Sequence, residues 1–262
     1  MKAFDTTLKG LRDKNEDKHV IIENINRNNN EQNNINYYGL YDGHGGITVS
    51  KILYDYMHKF FVDKNIRSPF YNNYINKVFN KMQDYIVKKR KAYYAGSTCL
   101  ISIIYKINND IMINVINVGD SRCIICRNNI AIPLTKDHKP NWPEENKRIS
   151  DIGGKIYYDG YDWRIKDLSV SRSMGDHDSY PYVVHNPDIY LYKKREDDKF
   201  MVLACDGLWD VMSNQDVANY IISNYYLNKI KPKNIAHNLA QEALNRGSTD
   251  NITIIIIILD DT

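Results

Sequence analysis

Four aspartates lie at the ends of strongly apolar runs, and this pattern constrains the fold more than any other feature of the sequence. Asp42 follows "YYGLY", Asp120 follows "INVINVG" and Asp206 follows "FMVLAC". Asp250 comes just before the run "NITIIIII". In an antiparallel sheet, the start of one strand lies beside the end of its neighbour. We therefore expect all four carboxylates to meet at one rim of the β-structure.

Carboxylates gathered at one rim repel each other, so such a cluster either takes up protons or binds cations. Its ligand atoms are oxygens, and the sequence has no His and Cys set at zinc spacing, which favours a hard ion such as Mg²⁺ or Mn²⁺. The alternative is that each Asp only forms a turn, because Asp next to Gly is common in turns.

The segment "YDGHGG" adds three kinds of residue to this rim. Gly43 has no Cβ, so its backbone can turn the carbonyl oxygen towards the ion that Asp42 binds. Gly45 and Gly46 allow a sharp turn into the next helix. His44 would then lie beside the ion, where a group that transfers protons is useful.

The order of the elements predicts one α+β domain over residues 1–262. Strand and helix patterns occur in groups, which favours antiparallel sheets covered by helices. The Asn-rich segment 24–36 predicts a polar loop between two strands. Strands are predicted at 18–23, 37–41, 98–107, 111–119, 122–128, 200–207 and 251–260, and helices at 48–61, 71–91, 141–154, 214–228 and 232–246.

Composition and charge argue against several classes of protein. The net charge of +3 is too small to indicate a nucleic-acid partner. The longest apolar run, "ITIIIIIL", is far shorter than the roughly 20 residues that span a bilayer, and the first residues lack an apolar stretch of signal-peptide length. We therefore expect a monomer in the cytoplasm and/or nucleus, without a membrane partner.

The chain has four cysteines, and two of them form the pair "CIIC" at Cys123 and Cys126. This pair lies within a strand pattern, where residues three apart point to opposite faces. A second CxxC that would complete a zinc site is absent from the sequence. We therefore predict that all four cysteines are reduced, structural thiols.

Nine short motifs follow one another along nearly the whole chain: "GLRDKNED", "YDGHGG", "GSTC", "NVGDSR", "LTKDHKP", "RISDIGG", "LSVSRSMGD", "LACDGLWDV" and "STDNITI". In sequence and in order, they resemble the PP2C (PPM) family of metal-dependent Ser/Thr protein phosphatases. A single match containing Asp-Gly would be weak evidence, but nine in the family's order are specific.

The resemblance implies a four-layer α-β-β-α sandwich, in which two central antiparallel sheets are flanked by helices. It also implies two Mg²⁺ or Mn²⁺ ions and a weaker site for a third. The residues that match the family's principal metal-binding positions are Asp42, Gly43, Asp206 and Asp250. Glu16 matches an acid that reaches the metals through water, Asp17 its neighbour that holds metal-bound water, and Asp120 and Asp210 the third site.

The remaining roles implied by the resemblance concern the substrate. Arg12 matches the arginine that binds the phosphate, His44 the proposed general acid, and Asn251 a residue that supports Asp250. The implied reaction is hydrolysis of phosphoserine and phosphothreonine in phosphoprotein substrates by a water activated at two metal ions. The alternative is an inactive relative that binds phosphoproteins as a regulator.

The chain departs from the family pattern in its flap, at approximately residues 141–167. The stretch "GGKIYYDGYDWRIKD" is unusually aromatic for a flap. The glycine that usually precedes the "LSVSR" segment is replaced by Lys166 and Asp167. These differences concern the choice of substrate and leave the metal chemistry unchanged.

Overall fold

The computed structural model describes residues 1–25, 34–62, 70–89, 92–228 and 232–260. Two five-stranded antiparallel sheets form its centre. The first has the strand order β1-β15-β14-β8-β9, with β1 at Lys2–Leu8, β8 at Arg122–Arg127, β9 at Ile130–Pro133, β14 at Asp198–Ala204 and β15 at Ile252–Ile258. The second has the order β13-β7-β6-β3-β2, with β2 at Lys18–Ile22, β3 at Asn36–Tyr41, β6 at Cys99–Ile107, β7 at Asp110–Val118 and β13 at Asp188–Lys193.

Helices cover the outer face of each sheet. Helices α1 (Thr48–Tyr56) and α2 (Asn72–Val87) pack on the second sheet, where Leu53 and Phe79 share a core with Ile101. Helices α4 (Asp206–Trp209), α5 (Asn214–Ile221) and α6 (Ile235–Asn245) pack on the first sheet. A separate core joins the two sheets. The predicted four-layer sandwich is therefore confirmed.

The continuous apolar run of β15 follows from burial on both of its faces. Ile254 and Ile256 contact the helices on the first sheet, whereas Ile255 and Ile257 lie in the core between the sheets. Alternate residues of a strand point to opposite faces, so a strand covered on both sides is apolar throughout. The same geometry separates the two cysteines of "CIIC", since Cys123 lies between the sheets and Cys126 lies under the helices. Their predicted opposite orientation is confirmed.

Several element boundaries differ from the prediction. The strands β1, β9 and β13 have no counterpart in the sequence analysis, and all three are edge strands whose residues are mostly half-buried or exposed. Helix α5 ends at Ile221 and continues as a π-helical segment over Ile222–Tyr226. Helix α6 begins after Asn234, whose side chain accepts hydrogen bonds from the backbone N–H groups of Ala236 and His237.

The Asn-rich segment joins β2 to β3, which are antiparallel neighbours. Its two ends are tied by a hydrogen bond from the Ile25 N–H to the Ile35 carbonyl at 2.8 Å. The predicted loop itself lies largely outside the described residues. Among the described helices, none is long and apolar enough to cross a bilayer.

Three short strands, β4 (Gly43–His44), β5 (Gly96–Ser97) and β12 (Met174–Gly175), form a small sheet beside the main sandwich. The flap contains helix α3 (Pro143–Asp151) and a hairpin of β10 (Tyr157–Tyr158) and β11 (Trp163–Arg164). Lys166 and Asp167 have φ angles of 51° and 66°. Both therefore adopt the left-handed conformation that glycine takes without strain, at the place where the family usually has glycine.

A buried ion network ties helix α3 to the segment that follows the flap. Glu145 accepts hydrogen bonds from Arg172 at 2.6 Å and from Arg148 at 2.9 Å. Arg172 also donates to Asp188, at the start of β13, at 2.9 Å. Because Glu145 is buried, its negative charge needs compensation, and the guanidinium groups of Arg172 and Arg148 provide it.

Candidate active site

The ends of β3, β7 and β14 and the start of β15 open onto one cleft of about 1040 Å³. The sequence placed an aspartate at each of these strand ends, and the structure brings all four together. The carboxylates that line the cleft are Asp13, Glu16, Asp42, Asp120, Asp162, Asp167, Asp206, Asp210 and Asp250. The cleft is therefore strongly negative.

Asp42 is held rigidly at the bottom of the cleft. Its N–H donates to Thr98 Oγ1 at 3.1 Å, and its carbonyl accepts from the Thr98 N–H at 2.8 Å. Burial, followed by repulsion from Asp17 and Asp206, raises the pKa of Asp42 well above its usual range. Burial and neighbouring carboxylates raise the pKa of Asp206 in the same way. Such mutual repulsion between fixed carboxylates is relieved when a cation binds between them.

The donor set fits a hard divalent cation. Carboxylate oxygens of Asp42 and Asp206 and the Cys205 sulfur lie within 4.8 Å of one another, in the one group of this kind within the part of the chain described. The Cys205 thiol donates to the Asn251 carbonyl at 3.3 Å, and burial raises its pKa well above its usual range. The carboxylates, rather than the protonated thiol, therefore offer the oxygen atoms that hard cations such as Mg²⁺ and Mn²⁺ prefer.

Asp17 lies behind the cleft and is buried. Its Oδ2 accepts a hydrogen bond from the Thr253 hydroxyl at 2.6 Å, whereas its buried Oδ1 has no hydrogen-bond partner in the described structure. Burial raises the pKa of Asp17. A buried carboxylate oxygen without a partner is costly, and a water or cation in the cleft would satisfy it.

The glycines of "YDGHGG" are explained by two different constraints. Gly43 does not have a positive φ angle, but a Cβ there would lie 2.5 Å from the Glu16 carbonyl oxygen. Close approach of the two backbones, and not an unusual backbone angle, therefore requires glycine at this position. Gly45 and Gly46 have φ angles of 67° and 121° and make the predicted turn before α1.

His44 forms an ion pair with Asp176, a residue to which the sequence analysis gave no role. Nε2 of His44 and Oδ2 of Asp176 are 2.7 Å apart. Asp176 is buried and also accepts a hydrogen bond from Ser173. Burial opposes protonation of His44, but the hydrogen bond and charge of Asp176 outweigh it and raise the pKa of His44. The imidazole is thus suited to carry a proton at the edge of the cleft.

Arg12 lies at the mouth of the cleft, where 60% of its side chain is exposed. Its Nη2 donates to Asp250 Oδ2 at 2.6 Å. This bond uses one of the five N–H donors of the guanidinium group. Asp250 therefore fixes the position of Arg12 beside the acidic cluster.

Asn251 organises the loop that carries Arg12 and Glu16. Its side-chain amide donates to the carbonyls of Lys9 and Lys14 at 2.7 and 2.9 Å. Its Oδ1 accepts from the Glu16 N–H at 2.9 Å, and its own N–H donates to Asp250 at 2.7 Å. The predicted supporting position beside Asp250 is thus one part of a wider structural role.

Asp120 and Asp210 lie on the same side of the cleft as a lysine that sequence reasoning missed. Nζ of Lys139 donates to Asp120 Oδ2 at 2.5 Å. Burial alone would lower the pKa of Lys139, but Asp120 and Asp206 outweigh burial and raise it. The stretches "LTKDHKP" and "LSVSRSMGD" were singled out in the sequence, and they supply Lys139 and Asp176 respectively. The sequence motifs thus contained both residues, but they did not show that Lys139 pairs with Asp120 or that Asp176 pairs with His44.

A family model and individual relatives both show the similarity of this chain to the protein phosphatases 2C. The family model "Protein phosphatase 2C" matches residues 2–252. A PP2C-like domain-containing protein of Acanthamoeba polyphaga mimivirus is 46% identical over 166 residues, covering 55% of this chain and 93% of the relative. The probable protein phosphatase 2C 59 of Arabidopsis thaliana is 35% identical over 230 residues, covering 85% of this chain and 70% of the relative.

A solved structure supports the fold in particular. The crystal structure of a phosphatase from Toxoplasma gondii superimposes with a TM-score of 0.86 over 99% of this chain and 93% of that chain. The two sequences are 21% identical, so this likeness concerns the architecture alone.

Proposed function

Because the chain belongs to the protein phosphatase 2C family, we propose that it hydrolyses phosphoserine and phosphothreonine in proteins at a centre of two Mg²⁺ or Mn²⁺ ions. The observation that carries this proposal is the convergence of the half-buried Asp42 and Asp206 with Asp250, Arg12 and His44 on one cleft. When bound, two such cations would supply an activated water for in-line attack on phosphorus and positive charge to offset the negative charge of the phosphate.

In this proposal Asp42, Asp206 and Asp250 would hold the cations, and the Gly43 carbonyl would be a further ligand. Glu16 and Asp17 would orient water beside them. Glu16 is positioned for this because its Oε2 accepts from the Gly46 N–H at 3.0 Å. The carboxylates of these residues are already held in place by the fold, so little reorganisation of the site is needed when the substrate binds.

Arg12 and His44 act on the substrate itself. The exposed guanidinium of Arg12 pairs with the non-bridging phosphate oxygens, a bidentate contact that a lysine ammonium cannot reproduce. His44 donates a proton to the serine or threonine oxygen as it leaves, because an alkoxide is a poor leaving group. Asp176 keeps the imidazole oriented through the bond at 2.7 Å.

The proposal is tested with phosphoserine, phosphothreonine and phosphotyrosine peptides, each assayed in EDTA, Mg²⁺ and Mn²⁺. We expect hydrolysis of the first two with either ion and none in EDTA. Asp206→Asn should abolish this activity while circular dichroism stays unchanged. Asp151→Asn is the matched control, since Asp151 is exposed and pairs with Lys147 on the surface of α3. Undiminished activity of Asp206→Asn would remove this site from the mechanism.

The same assay separates the enzyme from the regulator considered as an alternative. A folded wild-type protein that bound phosphopeptides but hydrolysed none of them with either ion would be such a regulator. The full set of carboxylates in the cleft favours the enzyme.

A further inference from the structure

Lys139 is a second cationic side chain, besides Arg12, that forms an ion pair with the acidic cluster. Its Nζ lies 2.5 Å from Asp120 Oδ2 and 3.5 Å from Asp162 Oδ2. The side chain of Lys139 is 20% exposed and that of Asp120 is 3% exposed. Exposed ion pairs contribute little, but a pair in which the carboxylate is buried is screened far less by water and salt.

The backbone holds Lys139 firmly in this position. The N–H of His138 donates to the Gly119 carbonyl at 3.0 Å, and the Gly119 N–H donates to His138 Nδ1 at 3.0 Å. Two hydrogen bonds therefore join the residues directly before Lys139 and Asp120. Since His138 is buried, the backbone on which Lys139 lies is fixed beside Asp120, and the ammonium group at the end of the side chain lies within reach of both Asp120 and Asp162.

A third divalent cation at Asp120 and Asp210 would bind the same carboxylate whose Oδ2 Lys139 now contacts. An ammonium group and a divalent cation at one carboxylate repel each other, so they exclude each other at close range. Asp162, in the loop between β10 and β11, offers Lys139 a second carboxylate. If the ammonium group of Lys139 left Asp120, it would thus remain paired with Asp162 of the flap.

We infer that Lys139 serves as a built-in competitor of the third divalent cation: its ammonium group fills the weak site at Asp120 and must move towards Asp162 before a metal ion binds there. This inference rests on the proposed function, because it assumes that the cleft binds divalent cations. It assigns the weakness of the third site to one residue of this chain.

The test is direct measurement of Mn²⁺ binding by calorimetry, with the number of bound ions counted independently by electron paramagnetic resonance. Lys139→Met removes the ammonium group and keeps the length of the side chain. Lys139→Arg retains the charge. The matched control is Lys136→Met, which removes the same charge from the same loop, where Lys136 pairs with the exposed Glu144 outside the cleft. A double variant combines Lys139→Met with Asp120→Asn.

We expect Lys139→Met to tighten the weakest Mn²⁺ site about tenfold to a hundredfold, the range that corresponds to removing one charge-assisted hydrogen bond. Lys139→Arg and Lys136→Met should bind Mn²⁺ as the wild type does, and the added Asp120→Asn should cancel the gain. The same weakest-site affinity in Lys139→Met and Lys136→Met would overturn the inference while leaving the proposed function intact. A wild-type protein that binds no Mn²⁺ would overturn both. Thermal unfolding of each variant without metal shows that it is folded.

Discussion

Replacing Glu145 by Gln tests the ion network that ties α3 to the segment after the flap. Burial alone would raise the pKa of Glu145, but Arg172 and Arg148 outweigh burial and lower it from an ordinary 4.5 to about 2. Gln has nearly the same shape but no charge, so this variant removes the electrostatic contribution with little change in packing. Arg172 keeps its bond to Asp188 in the variant, which limits the loss.

The difference between these two pKa values corresponds to about 3 kcal/mol of folding free energy at neutral pH. The carboxyl is not entirely removed from water, so screening reduces the expected contribution to about 2 kcal/mol. For a chain of this length, that lowers Tm by about 4 °C. The pKa is lower in the folded state than in the unfolded chain. The contribution is therefore complete above about pH 4.5 and is lost as the pH falls towards about 2.

Urea unfolding of the wild type and Glu145→Gln, followed by tryptophan fluorescence, measures this difference at about pH 7 and about pH 3. The destabilisation should shrink from about 2 kcal/mol to less than about 1 kcal/mol at the lower pH. Glu144→Gln is the matched control, because Glu144 is the adjacent, exposed residue of the same helix. A loss that is equal at both pH values, or no larger than that of the control, would refute this account of the network.

Three further predictions concern the cleft and the core. His44→Ala should reduce hydrolysis of a phosphoserine peptide about a hundredfold, but that of p-nitrophenyl phosphate much less, because nitrophenolate leaves without a proton; equal losses would exclude His44 as the acid. Gly96→Ala should lower kcat on the phosphothreonine peptide, because a Cβ there would lie 2.3 Å from His44 Nε2 and 2.1 Å from Asp176 Oδ2; unchanged turnover would contradict this geometry. The folded protein should resist a thiol reagent at about pH 8, since all four cysteines are buried and burial raises the pKa of Cys126 to about 11; rapid labelling before unfolding would contradict the described core.

The acidic rim was predictable because it depends on a local pattern, whereas the four layers of the sandwich were expected from the resemblance to the family. An apolar run followed by aspartate marks both a strand and its end, and a run that is apolar at every position marks a strand covered on both faces. The edge strands β1 and β13 lack such a pattern, because each has few fully buried residues. Local sequence cannot reveal a strand whose main stabilisation is its neighbour in the sheet.

The pairings within the site required the three-dimensional structure. His44 and Asp176 are 132 residues apart in the chain, and Lys139 and Asp120 are 19 residues apart. Residue types and family motifs identified the segments that meet at the cleft. They did not indicate that Asp120 is already neutralised by an ammonium group, since this depends on how "KDHKP" packs against Gly119. The reason for glycine at position 43 was likewise visible only once Glu16 was placed beside it.

The position of β15 has a consequence for how the protein is made. This strand pairs with β1 on one side, where Lys2 faces Ile258, and with β14 on the other, and it leads directly from Asp250 and Asn251. Chain growth therefore leaves the gap between β1 and β14 open until the segment around residue 258 has emerged from the ribosome. Because that same segment carries Asp250 and Asn251, the acidic cleft and the anchor of the Arg12 loop are complete only once this gap is filled.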